Sequence, residues 1–177
     1  MREDYTAGME AKLSKFAYTL FLGLILALFV GMGINTFYAS PKMPEYPHSL
    51  TTAGLKSPDG AIPEEDIQAQ RDYDEAYKEY DKQSQIYHRN VSIIALVTAV
   101  LFVAVSLVYE RKNQVIMNGV MIGGIFILVY SIGRGIASND TKYTFIAVAV
   151  SLAVVLVLGY RRFSDVSAAK KLAKRKK

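Results

Sequence analysis

Arg134, set between Gly133 and Gly135, is the first residue whose chemistry stands out. A guanidinium at the end of a long charge-free run brings five N–H donors to a place where charge is costly, so it could bind an anion or a lipid headgroup. The competing reading is an interfacial arginine that snorkels to the surface and meets Asp140. Tyr73, Tyr77, Tyr80 and Tyr87 form the second feature, because steps of three, four and seven place them on one stripe of a helix. A tyrosine offers a large ring for burial together with a hydroxyl, a combination that suits an interface.

Other reactive types are sparse. There is no cysteine, which excludes disulfides, thiolate metal sites and thiol nucleophiles. His48 and His88 are the only histidines, and although Glu45 lies near the first, no metal-ligand spacing recurs. The apolar runs lack Asp, Glu, Lys, Arg and His in their midsections, whereas proton relays, coupled transporters and voltage sensors place such groups there. Thr98, Ser106 and Ser131 could line a passive pore. Asn35 and Asn118, near the ends of runs, suit backbone or headgroup contacts better than ion coordination. Two Asn-X-Ser/Thr triplets, at Asn90 and Asn139, abut the apolar runs and carry little weight as glycosylation signals. No catalytic constellation and no cofactor motif emerges, so a non-enzymatic chain without a cofactor is expected.

The elements that must position these residues follow from where the apolar residues gather. Hydrophobic residues make up 51% of 177, high for a soluble domain, and they fall into four blocks at 16–38, 91–109, 115–133 and 143–160. At 1.5 Å per residue about 20 residues cross a hydrocarbon core of about 30 Å, so each block is long enough to span. Aromatic residues at the ends of the runs (Phe16, Tyr38, Tyr109, Tyr130, Tyr143 and Tyr160 among them) match interfacial girdles. The fold class expected is therefore all-α: a polytopic membrane protein with four transmembrane helices and an extracytoplasmic amphipathic helix leading into the second span. A cleaved signal peptide in place of the first span fits poorly, because the run is longer than an h-region and Phe37 would sit at the minus-three position.

Between the first two blocks the chain divides. All five prolines lie in 39–62 and at Pro63, so 39–62 reads as an extended external connection with a turn at Ser57-Pro58-Asp59-Gly60. Pro63 suits a first helical turn, and Glu64, Glu65 and Asp66 complement the N-terminal dipole, so an external helix is expected over 63–90. Its charged face is spaced for Arg71–Glu75, Asp74–Lys78 and Glu79–Lys82 pairs. No glycine or proline occurs from Glu64 to Asn118, so one rod running into the second span is possible, as is a bend near His88. The tyrosine stripe then needs a cover, either the proline-rich segment of the same chain or another subunit.

Orientation follows from lysine and arginine. The N-terminal segment 1–15, the loop at 110–114 and the basic tail 161–177 carry thirteen basic and five acidic residues, while 39–90 carries six basic and ten acidic. This positive-inside pattern predicts both termini in the cytoplasm of a plasma or inner membrane. Within the bilayer, helices associate through small residues, and Gly23, Ala27 and Gly31 on the first span and Gly119 and Gly123 on the third are candidate packing ridges. Ala95, Ala99, Ala147 and Ser151 extend the same pattern to the other two spans.

The function expected from these features is that of an accessory, assembly or interaction subunit of a membrane complex. Its candidate interaction residues are Tyr73, Tyr77, Tyr80, Tyr87 and Arg134. The partners expected are the lipid bilayer, a second copy or another subunit, and anionic lipid at the basic tail, with no nucleic acid. A homo-oligomeric passive pore and a lipid-acting membrane enzyme are the alternatives.

Overall fold

In the computed structural model, residues 2–47, 63–110 and 113–175 are described, with side chains over 9–47, 63–110 and 113–161. Four helices lie among the described residues: α1 Arg2–Phe37, α2 Glu64–Tyr109, α3 Gln114–Ala137 and α4 Thr141–Arg175. Each contains a stretch long and apolar enough to cross a membrane: Met9–Phe37, Glu64–Tyr109, Gln114–Ala137 and Thr141–Arg161. The chain is thus an all-helical one with the composition of an integral membrane protein. The proposed Ser57-Pro58-Asp59-Gly60 turn and His48 lie outside the described residues.

α2 runs unbroken for 46 residues, about 69 Å, more than twice a hydrocarbon core. The reason is local. Pro63 precedes it with φ −58°, three acidic residues occupy its first turn, and no glycine or proline follows to interrupt it. On its charged half Arg71–Glu75, Asp74–Lys78 and Glu79–Lys82, though spaced for pairing, form no ion pair. Glutamine amides donate to carboxylates four residues away instead, Gln68 to Asp72, Gln70 to Asp74, Gln83 to Glu79 and Gln85 to Asp81, at 2.8–3.1 Å. Exposed ion pairs between long side chains gain only a few tenths of a kcal/mol, too little to hold the lysines and arginines in place.

α3 is the central helix, lying against α1 on one side and α2 on the other, whereas among the described residues the backbones of α1 and α4 do not approach each other. The α2–α3 seam is antiparallel and pinned by serines. Ser92 donates to the Ser131 carbonyl at 2.7 Å while Ser131 donates to the Ser92 carbonyl at 2.8 Å, and Ser106 donates to the Met117 carbonyl at 2.7 Å. Between these clamps the small residues permit close approach: Ala95 and Ala99 are fully buried, and a Cβ added at Gly124 would stand 2.9 Å from Val103 Cγ2. This is how helices hold together in lipid, where apolar side chains alone give no net attraction.

The turn into α4 is short because its residues suit it. Asn139 adopts φ 53°, a left-handed conformation that asparagine tolerates, and closes the α3 C-terminus by donating from its backbone to the Ile136 carbonyl. Asp140 then caps α4 by accepting from the Tyr143 backbone N–H at 3.1 Å. α4 packs through Ala147 and Ser151, while Phe145, Leu152, Leu156 and Tyr160 remain exposed. The four helices therefore form an open cluster around α3.

Candidate functional site

Of the polar and aromatic residues singled out above, Arg134, Tyr87, Tyr130, His88 and Asn35 converge where α1 and α3 finish beside α2. Arg134 is the hub. Its Nη1 donates to His88 Nδ1 at 2.8 Å and its Nε donates to the Tyr130 hydroxyl at 3.0 Å. The guanidinium carbon lies 5.4 Å from the Tyr87 ring centroid and 5.5 Å from that of Tyr130. Each such cation–π contact contributes about 0.5–2 kcal/mol, depending on desolvation. Because arginine has no lone pair to offer, Nδ1 of His88 must be unprotonated, so the neutral ring carries its proton on Nε2. Burial and, second, the neighbouring Arg134 charge both hold the His88 pKa below its ordinary value.

The expectation that Arg134 meets Asp140 is corrected by this arrangement. Asp140 lies 3.9 Å from Arg89, one residue along from His88, while no carboxylate among the described residues pairs with Arg134. The α2–α3 register decides the matter, since it sets His88 opposite Arg134. Sequence alone does not carry that register, and nothing in it pairs His88 with Arg134. Among the described residues no three His, Asp or Glu side chains are grouped to hold a metal ion.

Tyr87 anchors the aromatic stripe. It is 4% exposed, stacks on Tyr38 with ring centroids 5.3 Å apart and planes within 2°, and donates to Asn35 Oδ1 at 3.4 Å. Asn90 Nδ2 in turn donates to the Tyr38 hydroxyl at 2.8 Å, so the end of α1 is tied to α2 by two crossed bonds. Further along α2, Tyr46 packs edge-on against Tyr73 at 5.0 Å, and Tyr73, Tyr77 and Tyr80 continue as ring contacts of 6.0 Å each. The stripe is thus met at Tyr87 by Tyr38, at the end of the first apolar block, and at Tyr73 by Tyr46 of the proline-rich segment. Among the described residues no further ring covers Tyr77, which is 42% exposed.

The candidate packing residues separate into two groups. Gly23 meets Gly119 and Gly123 directly: a Cβ at Gly23 would lie 2.9 Å from the Gly123 nitrogen and 3.0 Å from the Gly119 oxygen. Leu22 and Leu26 fill the space over Gly119 and Gly123, and Ala27 packs at the edge of the buried core. Gly31 makes no such approach, since a Cβ there meets nothing within 4 Å. The ridge expected through Gly31 is instead one wall of a groove of about 490 Å³ between α1 and α3, lined by Leu24, Leu28, Gly31 and Phe126 with Asn35 and Arg134 at one end.

The hydroxyls considered for a pore are engaged elsewhere. Ser106 and Ser131 are buried in the α2–α3 seam, where Tyr143 also donates to Ser92 at 2.9 Å, and Thr98 donates to the Ile94 carbonyl of its own helix. A second crevice, of about 630 Å³ beside the α3–α4 turn, gathers Lys82, Arg89 and Lys142 with Asp140. Compared with protein-family models, curated proteins and solved structures, the chain matches none, so its functional reading rests on these residues alone.

Proposed function

We propose that the chain is a non-enzymatic integral membrane protein, an accessory, assembly or interaction subunit of a membrane complex. In this reading the four apolar helices span the bilayer, both termini are cytoplasmic, and 39–90 is external. The charge asymmetry supports the orientation, and the apolar residues left exposed around α1 and α4 suit contact with lipid. The observation that carries the interaction role is the half-open tyrosine row. From Glu64 to Asn90 the α2 helix extends about 40 Å beyond its apolar part. Along it Tyr73, Tyr77 and Tyr80 form a connected aromatic ridge that Tyr46 of the proline-rich segment meets at Tyr73, and Tyr77 is 42% exposed. The basic residues of 161–177 would add contact with anionic lipid on the inner face.

No observation favours the pore, because Ser106 and Ser131 hold α2 to α3 and Thr98 is bonded to its own helix. The subunit reading is tested by particle mass in nanodiscs made directly from the native membrane. Burial of one large aromatic side chain is worth about 2 kcal/mol, so changing Tyr77 and Tyr80 to serine should reduce the particle to a single chain while tyrosine near-UV circular dichroism of the bundle persists. A wild-type particle of one chain, with Tyr77 freely modified by tetranitromethane, would overturn it.

A further inference from the structure

The groove between α1 and α3 has the form of a lipid site. Its long walls are apolar, from Leu24 through Leu28 and Gly31 on α1 and Phe126 on α3, and its polar groups, Asn35, Tyr130 and Arg134, are confined to one end. From Leu24 to Asn35 the wall rises about 16 Å, close to the roughly 15 Å of one hydrocarbon leaflet. The glycine at 31 leaves width for a chain, since nothing stands within 4 Å of where its side chain would begin. The charge at the end is also unspent. Arg134 is steadied by Tyr87, Tyr130 and His88, none of them a carboxylate, and among the described residues the nearby carboxylate of Asp140 is taken up by Arg89. Two of its five donors are used, leaving the other three to donate to an anionic oxygen.

We infer that this groove binds one anionic phospholipid of the outer leaflet, its phosphate on Arg134 and Asn35 and one acyl chain along Leu24, Leu28 and Gly31. Guanidinium and phosphate are matched in charge and in fork geometry, and the contact lies at the depth where a headgroup meets the hydrocarbon. The aromatic cage has a definite task in this arrangement. It fixes the guanidinium without neutralising it, so the cation is held in place for a ligand from the membrane. The inference rests on the spanning topology proposed above.

The test is native mass spectrometry of the protein released from nanodiscs containing equal phosphatidylglycerol and phosphatidylcholine. Both headgroups offer a phosphate, but the choline of phosphatidylcholine sets a second cation against the guanidinium, which supports a preference of about tenfold for the anionic lipid. Arg134→Gln should abolish the preference, whereas Arg161→Gln, an equal loss of charge at the other end, should preserve it. Gly31→Leu fills the groove without meeting protein atoms at its Cβ, and should reduce retention of both lipids. Equal retention of the two lipids by the wild type, an equal effect of Arg161→Gln, or full retention by Gly31→Leu would each overturn the site. Should Arg134→Gln lose its tertiary fold, the wild-type preference and Gly31→Leu decide. A chain that does not enter nanodiscs at all would overturn the spanning reading and this site with it.

Discussion

Two glycines on the same helix, two turns apart, should respond to alanine in opposite senses. At Gly23 the new methyl would stand 2.8 Å from Ile122 Cγ2, 2.9 Å from the Gly123 nitrogen and 3.0 Å from the Gly119 oxygen. The isoleucine can rotate, but the two backbone atoms cannot, so α1 must move away from α3 by roughly 0.5–1 Å to restore ordinary contact. A gap of that size forfeits about a quarter to a half of each pairwise dispersion well along the seam, where Leu22 and Leu26 now lie over Gly119 and Gly123. Overpacking of this kind costs about 1–3 kcal/mol, while alanine regains at most about 1 kcal/mol of helix propensity. Gly23→Ala should therefore destabilise by on the order of 1–2 kcal/mol. At Gly31 there is no clash, only the propensity gain, so Gly31→Ala should be neutral or stabilising by up to about 1 kcal/mol. The chain has 12 tyrosines and no tryptophan, so near-UV circular dichroism during titration of mixed micelles with SDS follows tertiary unfolding through tyrosine alone. A Gly23→Ala protein as stable as wild type, or a Gly31→Ala protein equally damaged, would refute the packing argument.

Two further outcomes follow from the polar seam. Ser131→Ala removes the donor to the Ser92 carbonyl and should cost about 0.6 kcal/mol, at most about 1.7, in the same titration. Lowering the pH should weaken the bundle through His88, whose folded-state pKa lies below the unfolded one. The unfolded chain then binds more protons, so stability is fully present above about pH 6.5 and is lost as pH falls through the folded pKa. His88→Gln, which keeps an acceptor for Arg134 and cannot titrate, should flatten that part of the profile, and an unchanged slope would place the effect elsewhere.

The four apolar helices were legible because charge-free runs of membrane length leave little else for the chain to do. The unbroken α2 was legible as a possibility, in the absence of glycine and proline from Glu64 to Asn118, though not as a certainty. The Arg134 site was legible only in part. Its cation stood out by type and place, but its partners depend on the register of α2 against α3, which arises from serine and glycine contacts made in three dimensions. Asp140 looked like the partner for its nearness in sequence, yet its place at the N-cap of α4 sets it beside Arg89. Gly23 and Gly31 show the same limit. They share residue type, spacing and helix, and only the course of α3 makes one a contact and the other the wall of a groove.

The central claim is that four helices cross the membrane and that the tyrosine-bearing half of α2 lies opposite the termini. A cysteine-free chain allows this to be measured directly, with single cysteines introduced at Glu75 on the exposed face of α2 and at Ser167 in the basic tail. In sealed cells a membrane-impermeant maleimide should label the Glu75→Cys protein at once and the Ser167→Cys protein only after the membrane is opened. Labelling of both from the same side would contradict the account.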